Sequence, residues 1–218
     1  RVSLKGARAM APSFDTVGWF ANDALMLSRL AQVLLKGKPQ ETKIKRIMIG
    51  KDAIARADAA VAKAMTGWIE GHLTDSEEVT VSSEGLDPWW DVFRVIQAGE
   101  VKSTNLPWVR THKVKLGPAI HERFLMAENI TDFELNAARK HQKQIVKHLN
   151  QLVSPGSALV IPTAPCVAPL LNEDATTLAS FRANTMALTC IAGLGGLPQI
   201  SMPVLTVNGC PVGVSLIG

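Results

Sequence analysis

Two apolar runs near the C-terminal end, separated by Asn208-Gly209, constrain the fold of this chain more than any other feature. Asn-Gly between two such runs is typical of the two-residue turn of a β-hairpin. A glycine-rich segment, residues 193–196, precedes the first run. The pattern therefore predicts a glycine-rich turn followed by two buried antiparallel strands.

The same feature bears on the extent of the protein. The second apolar run ends at Gly218, although the backbone groups of a buried strand need hydrogen-bond partners. The chain also begins with Arg1 rather than with methionine. We therefore expect a chain that is incomplete at both ends.

Helical patterns alternate with short apolar strands along the rest of the chain, which is typical of an α/β protein with a buried sheet. Asp23 can cap a helix that runs to about residue 35, and Thr131 with Glu134 forms a capping box. Pro107 and Pro118 favour a loop over 104–117. The predicted strands cover residues 44–49, 77–82 and 157–161. The other predicted helices cover residues 53–70, 89–99, 130–153 and 177–189, and a second loop is predicted at residues 36–45.

Composition argues against two classes of partner. No apolar run approaches the roughly 20 residues that cross a bilayer, so we expect no membrane partner. The net charge is +4, and the basic clusters at 36–51 and 140–147 lack the interleaved aromatic residues and motifs of a nucleic-acid surface. We therefore interpret both clusters as solvated surface and expect no nucleic-acid partner.

The cysteines and histidines do not have the spacing of a metal site. Cys166, Cys190 and Cys210 are odd in number and far apart, which predicts buried, reduced thiols in a cytoplasmic protein. His141 and His148 share a helix face without a third ligand, which favours surface histidines. In Gly193-x-Gly195-Gly196 the third glycine stands at the wrong position for a dinucleotide loop, and no acidic residue can follow at the needed distance. We therefore expect neither a metal nor an organic cofactor.

Three segments, taken in order, carry a resemblance to a known family. They are Ala-Pro-Ser-Phe-Asp-Thr-Val-Gly-Trp-Phe-Ala at 11–21, Val-Ile-Pro-Thr-Ala-Pro-Cys-Val-Ala-Pro at 160–169, and Ala-Gly-Leu-Gly-Gly-Leu-Pro-Gln-Ile-Ser-Met-Pro at 192–203. In this order and at these separations they resemble the amidase signature family. Residues 181–193 look especially similar to those of indole-3-acetamide hydrolases.

The resemblance implies a fold and a chemistry. The fold is a mixed β-sheet wrapped by helices, and the family hydrolyses carboxylic amides with a serine nucleophile, a second serine in a cis peptide, and a lysine. None of these three residues matches a position in this sequence, so we assign no catalytic residue. The resemblance implies that residues 1–218 are a single partial amidase domain, the portion that follows the nucleophile.

The resemblance also implies a substrate-binding wall. Pro162 and Thr163 belong to a rigid strand-turn that faces the scissile region, and Met186, Thr189 and Cys190 are presented by the helix before Gly193. Glutamine-binding amidotransferases have an acidic residue where Met186 aligns. Methionine there favours an apolar, aryl or indole acyl group.

Simpler interpretations of the same residues stay open. Met186 and Cys190 also fit a purely structural helix face, and Thr163 also fits a turn. Asp15 is expected to act as a cap or turn residue, and Trp19 and Phe20 as core residues.

Two functions follow for the complete protein. In the first, it is an amidase that converts a neutral, apolar carboxylic amide to acid and ammonia, with the catalytic residues in a missing N-terminal portion and this chain inactive alone. In the second, the chain is a non-catalytic module or an amidotransferase-like subunit fragment that acts only with a partner chain. Relatives in the family are often dimers, so a homodimer stays open.

Overall fold

The computed structural model describes residues 2–35 and 43–218, so most of the predicted loop at 36–45 lies outside the described residues. The chain divides into two compact units. The first comprises Arg1–Thr42 and Val95–Leu135, and the second comprises Lys43–Arg94 and Asn136–Gly218. Every residue that we predicted to bind substrate lies in the second unit.

The described residues form eight helices and five strands. In chain order the elements are α1 (Ala24–Leu34), β1 (Arg46–Gly50), α2 (Lys51–Ile54), α3 (Ala59–His72), β2 (Ser76–Val79), α4 (Leu86–Thr104), α5 (Leu106–Thr111), α6 (Pro118–Asn129), α7 (Asp132–Leu152), β3 (Ser157–Pro162), α8 (Ala175–Gly195), β4 (Gln199–Val207) and β5 (Cys210–Ile217).

The five strands form one mixed sheet in the second unit, with the order β2-β1-β3-β5-β4. β2, β1 and β3 are parallel, and β5 is antiparallel to both β3 and β4. This arrangement confirms the prediction of an α/β fold with a mixed sheet.

The C-terminal hairpin forms at the predicted place. Asn208 and Gly209 have φ angles of 50° and 77°, as the Asn-Gly hairpin turn requires. β5 is largely buried, but β4 is not, because it lies at the edge of the sheet and most of its residues are exposed. The prediction of two buried strands is therefore wrong for β4.

Both faces of the central strands are buried. One face carries a cluster that includes Ile49, Val160 and Val214 of the sheet and Val61 and Met65 of α3. All six residues of β3 are buried, including those that alternate with Val160 and point to the other face. A strand that is covered on both faces reads as a continuous apolar run, which is why β3 was recognisable in the sequence.

Two of the predicted helix starts are confirmed by their hydrogen bonds. Asp23 accepts the Met26 amide at 2.7 Å at the start of α1. The amide of Thr131 donates to Glu134 at 2.8 Å, and the amide of Glu134 donates back to Thr131 Oγ1 at 3.2 Å. This is the reciprocal pair of a capping box.

Three sequence-based assignments need correction. The predicted helix at 53–70 is two helices, because Asp58 caps a new one by accepting the Val61 amide at 2.7 Å. The predicted loop at 104–117 contains α5, and α6 begins at Pro118. Pro107 and Pro118 lie in first helical turns, where a missing N–H leaves no hydrogen bond unmade, so they begin helices rather than break them.

The glycine-rich segment is mostly helical rather than a turn. Gly193 and Gly195 belong to α8, and only Gly196, with φ 65°, ends the helix in the left-handed conformation. A Cβ on Gly195 would lie 2.8 Å from a methyl carbon of Leu149. Close packing of α8 on α7 therefore explains this glycine.

In the first unit, Asp15 acts as the predicted turn residue. Its carboxylate accepts the amides of Met10 and Ala11 at 2.9 and 3.1 Å. Phe20 is fully exposed, so the prediction of a core residue is wrong there, whereas Trp19 is half-buried.

Candidate substrate-binding site

Pro162 and Thr163 lie at the carboxyl end of β3, where the chain leaves the sheet. Pro162 is buried and pairs with Val214 of β5, and the Thr163 amide donates to the Gly213 carbonyl at 2.9 Å. Two residues later, the Pro165 carbonyl accepts the amide of Asp58 at 2.7 Å. The segment after β3 is therefore held between β5 and the start of α3.

Thr163 lies at the centre of a cluster of three hydroxyl groups, its own and those of Ser201 and Ser215. Its Oγ1 lies 2.8 Å from Ser201 Oγ of β4 and 2.8 Å from Ser215 Oγ of β5. The side-chain amide of Gln199 donates to Ser215 Oγ at 2.8 Å. Ser215 is fully buried and Ser201 is exposed, so this hydroxyl cluster extends from the interior of the sheet to its surface.

Gly213 makes room for the hydroxyl cluster. A Cβ at this position would lie 2.6 Å from Thr163 Oγ1 and 2.7 Å from Ser201 Oγ. Both distances are far below van der Waals contact, so the two hydroxyl groups occupy the space that a side chain would need. Neither this glycine nor the two serines stood out in the sequence, because their meeting depends on strand register.

Met186, Thr189 and Cys190 lie on α8. Met186 and Thr189 are half-buried, and Thr189 Oγ1 donates to the carbonyl of Thr185 at 3.0 Å. Cys190 is only 1% exposed, and its Sγ donates to the Ala187 carbonyl at 3.5 Å. Of the three side chains, Met186 and Thr189 are thus the more accessible to a ligand.

The five predicted residues therefore form two groups. Pro162 and Thr163 are joined to the β4–β5 hairpin, whereas the other three belong to α8. Within residues 2–35 and 43–218, no hydrogen bond links one group to the other.

Arg56 is a charged residue beside α8 that sequence reasoning missed. Its guanidinium donates to Asn184 Oδ1 of α8 at 3.2 Å and forms an ion pair with Asp87. Burial raises the pKa of Cys190 to about 12, and the positive charge of Arg56 opposes this increase. One sequence signal could have found Arg56. It comes after β1 and the short helix α2, and the carboxyl ends of the parallel strands β1 and β3 share one edge of the sheet.

The cysteines differ from the prediction of three buried thiols. All three are free, but only Cys190 is buried, while Cys166 is half-buried and Cys210 is exposed. Cys210 opens β5 directly after the hairpin turn, a position that faces solvent.

A polar cleft of about 260 Å³ lies beside α7. His141 Nε2 and the indole N–H of Trp89 both lie 2.8 Å from the same oxygen of Glu84, and His148 Nε2 is 2.9 Å from the Val81 carbonyl. Each histidine has a hydrogen-bond partner in the protein, and His148 is exposed, as predicted for a surface histidine, while His141 is half-buried. No group of three or more His, Cys, Asp or Glu residues arranged for a metal ion occurs in the described part of the chain.

Comparison with known proteins agrees with this geometry. The model of the family described as Amidase matches residues 99–218, more than half of the chain. The chain belongs to the amidase signature family. Relatives of this amidase-family chain include Amidase 1 of Oryza sativa subsp. japonica, 33% identical over 99% of the chain and 57% of the relative, and Amidase 1 of Arabidopsis thaliana, 29% identical over 99% and 59%.

A solved structure supports the fold. The crystal structure of an amidase superposes with a TM-score of 0.87 at 22% identity, covering all of this chain and 52% of that protein. The chain thus spans a little over half the length of the two Amidase 1 relatives and of this crystallised amidase. A glutamyl-tRNA(Gln) amidotransferase polypeptide of Thermotoga maritima is also similar, at 29% identity over 51% of the chain and 24% of the relative.

The prediction of a cytoplasmic protein is wrong. Translocon at the outer membrane of chloroplasts 64 of Pisum sativum is 24% identical over 99% of the chain, and the mitochondrial outer envelope protein 64 of Arabidopsis thaliana is 25% identical over 99%. Cysteine usage, on which the prediction depended, does not distinguish between these compartments. In residues 2–35 and 43–218, no helix is both long and apolar enough to cross a membrane.

Proposed function

We propose that this amidase-family chain is part of an enzyme that hydrolyses a neutral, apolar carboxylic amide to the acid and ammonia. The observation that carries the proposal is the half-buried Met186 on α8. The resemblance to the family implies an acidic residue at this position in the glutamine-binding amidotransferases. A thioether packs against a flat apolar group but cannot pair with the amino group of glutamine.

The extent of the similarity supports an amidase over an amidotransferase. The two plant Amidase 1 relatives match 99% of the chain, whereas the Thermotoga maritima amidotransferase polypeptide matches 51%. An aryl or indole acyl group is the substrate class that fits a methionine-lined wall.

The proposed reaction breaks the amide C–N bond in two steps. A serine oxygen attacks the carbonyl carbon, and the nitrogen takes a proton and leaves as ammonia, which forms an acyl-enzyme ester. Water then attacks the ester carbon, releases the carboxylic acid and returns a proton to the serine oxygen. We propose that the two serines and the lysine of this mechanism come from a part of the protein outside residues 1–218, with this chain supplying the acyl-binding wall.

The first experiment assays the product of the complete gene with indole-3-acetamide, benzamide and glutamine, following ammonia release. We expect the two apolar amides to be hydrolysed faster than glutamine, and chain Arg1–Gly218 alone to be inactive. A preference for glutamine, or no hydrolysis of any amide, would contradict the proposal.

Variants of Met186 test the carrying observation. Met186→Asp places a carboxylate beside an apolar acyl group, so we expect kcat/KM for indole-3-acetamide to fall about ten-fold or more. Met186→Leu keeps the volume and the apolar surface and is the matched control, with activity expected to stay within a few-fold. If Met186→Asp loses thermal stability to the same degree as it loses activity, Met186 has a structural role instead.

A partner-dependent subunit is the second candidate, and the amidotransferase similarity is the observation that favours it. Exposed Ile200 and Val204 on the edge strand β4 would offer such a partner an apolar surface. Light scattering of the purified complete gene product separates the cases. A stable monomer that hydrolyses apolar amides supports the amidase, and activity that appears only with a second polypeptide supports the partner-dependent function.

A further inference from the structure

The hydrogen bonds of the hydroxyl cluster all donate in one direction, and Gln199 sets that direction. The side-chain nitrogen of Gln199 can only donate, so Ser215 Oγ accepts in their 2.8 Å hydrogen bond. Ser215 is fully buried, and a buried hydroxyl hydrogen without an acceptor is costly. The other partner of Ser215 in the described structure is Thr163 Oγ1, at 2.8 Å, so the Ser215 hydroxyl donates to Thr163.

The direction continues outward from Thr163. Each hydroxyl group carries one hydrogen, and the Thr163–Ser215 bond already uses the hydrogen of Ser215. The hydrogen of Thr163 is then directed to its second partner, Ser201 Oγ, at 2.8 Å. Hydrogen bonds that run in one direction reinforce one another, which favours this assignment. The remaining hydrogen, that of the Ser201 hydroxyl, has no protein partner in the described part of the chain.

The position of Ser201 makes this hydrogen available to a ligand. Ser201 is exposed on β4, while Ser215 at the other end of the hydroxyl cluster is buried. Gly213 leaves the space in which Thr163 and Ser201 meet. The hydroxyl cluster is thus a chain of hydrogen bonds that begins at buried Ser215 and ends at exposed Ser201. The Ser201 hydroxyl is the one donor at its end, next to the segment after β3.

We propose that Gln199, Ser215 and Thr163 orient the Ser201 hydroxyl as a hydrogen-bond donor that binds an acceptor oxygen of the ligand, the carbonyl of the amide or the carboxylate of the acid product. The identity of the ligand rests on the proposed function, whereas the direction of the donors rests on the geometry alone. Ser201 is the binding residue, and the other three are positioning residues.

The test measures binding of phenylacetate, a carboxylate with a small apolar ring, to the complete gene product by calorimetry. Ser201→Ala removes the terminal donor, so we expect its Kd to rise about ten-fold, the usual effect of losing a hydrogen bond to a charged group. Ser201→Thr keeps a hydroxyl and is expected to stay within about two-fold of the parent protein. Equal Kd values for Ser201→Ala and the parent protein would overturn the inference.

Gln199→Glu tests the direction itself with little change of shape. A carboxylate only accepts, so Ser215 would donate to residue 199, Thr163 to Ser215 and Ser201 to Thr163, which leaves an acceptor facing the ligand. We expect about the same loss as in Ser201→Ala, measured in 1 M NaCl, where the Debye length of about 3 Å suppresses simple charge repulsion. Phenylacetate binding equal to that of Ser201→Thr would contradict the proposed direction.

Amide hydrolysis by the same variants separates this inference from the proposed function. KM for benzamide should rise in Ser201→Ala and be restored in Ser201→Thr, at an unchanged melting temperature. If the parent protein hydrolyses apolar amides and KM does not respond to Ser201→Ala, the inference fails and the proposed function stands. If it hydrolyses no amide, the proposed function fails, and the phenylacetate series still decides the inference. A parent protein that binds no phenylacetate overturns the inference.

Discussion

Thr163 Oγ1 lies 2.6 Å from the point at which a Cβ on Gly213 would stand, and the Thr163 amide donates to the Gly213 carbonyl at 2.9 Å. Thr163 therefore contacts Gly213 through both its backbone amide and its side-chain hydroxyl. This contact joins the segment after β3 to the antiparallel strand β5 and leaves no space for any side chain at position 213.

Gly213→Ala is expected to lower the free energy of unfolding by about 1–3 kcal/mol, because the new methyl group must displace Thr163 or Ser201 from the hydroxyl cluster. Gly67→Ala is the matched control, since Gly67 lies inside α3 with nothing within 4 Å of an added Cβ. There we expect stabilisation of up to about 1 kcal/mol. Urea unfolding of the two variants and the parent protein checks both signs, and a Gly213→Ala midpoint at or above that of the parent would contradict the proposed crowding.

The elements that could be predicted from the sequence are those whose signals are local. Asn208-Gly209 indicates a hairpin by itself, and Thr131 with Glu134 indicates a helix start, because each pattern needs only adjacent residues. The six-residue apolar strand β3 was recognisable for the same reason. The resemblance in turn provided the family and pointed to Thr163, but gave no indication of what Thr163 contacts.

The order of the strands and the hydroxyl cluster could not be predicted, because both depend on pairing between distant segments. Ser201 is opposite Ser215 only in the register that β4 and β5 adopt, and Thr163 reaches both through the pairing of β3 with β5. The exposure of β4 has the same origin, since an apolar pattern does not say whether a strand is central or at an edge. Arg56 was missed because its partners, Asp87 and Asn184, lie far away in sequence.

Stability at alkaline pH is expected to depend on Cys190. Burial raises the pKa of this thiol from its ordinary value of 9.0 to about 12, against weaker opposing effects of a backbone hydrogen bond and of the Arg56 charge. Below pH 9 the thiol is protonated in both states, so its contribution is fully present. Between pH 9 and about 12 the unfolded chain loses the proton while the folded chain keeps it, so the unfolding free energy falls by at most about 1.4 kcal/mol per pH unit.

Urea unfolding of the parent protein and of Cys190→Ala between pH 7.5 and 10.5 measures this effect. In Cys190→Ala, the free energy of unfolding should fall less between pH 9 and 10.5 than in the parent protein, whatever the stability of the variant at neutral pH. Cys210→Ala removes an exposed thiol and serves as the matched control for the loss of a cysteine. Parallel curves for the parent and Cys190→Ala would refute the assignment.

Asp52 is expected to hold the chain at the end of β2. Its two carboxylate oxygens accept the amides of Val81 and Ser82 at 2.8 and 2.9 Å, and both of those residues are buried. Asp52→Ala leaves two buried donors without acceptors and should lower the unfolding free energy by about 2–4 kcal/mol. Asp52→Asn keeps one acceptor oxygen, so its free energy of unfolding should fall roughly half as much. Thermal unfolding of both variants checks this ranking. A larger loss of stability in Asp52→Asn than in Asp52→Ala would contradict it.

Glu100 is expected to order the N-terminal part of the first unit. It is only 6% exposed, and its carboxylate accepts the amide of Ser13 at 2.9 Å and also the Ser13 hydroxyl. Glu100→Ala removes the acceptor, so we expect the Ser13 amide to exchange with deuterium about ten-fold faster, as befits the loss of a hydrogen bond to a carboxylate. Ser13→Ala is the matched control, because it removes the hydroxyl but keeps the amide, and residue 13 should then retain most of its protection. Equal exchange in Glu100→Ala and the parent protein would mean that other contacts hold this segment in place.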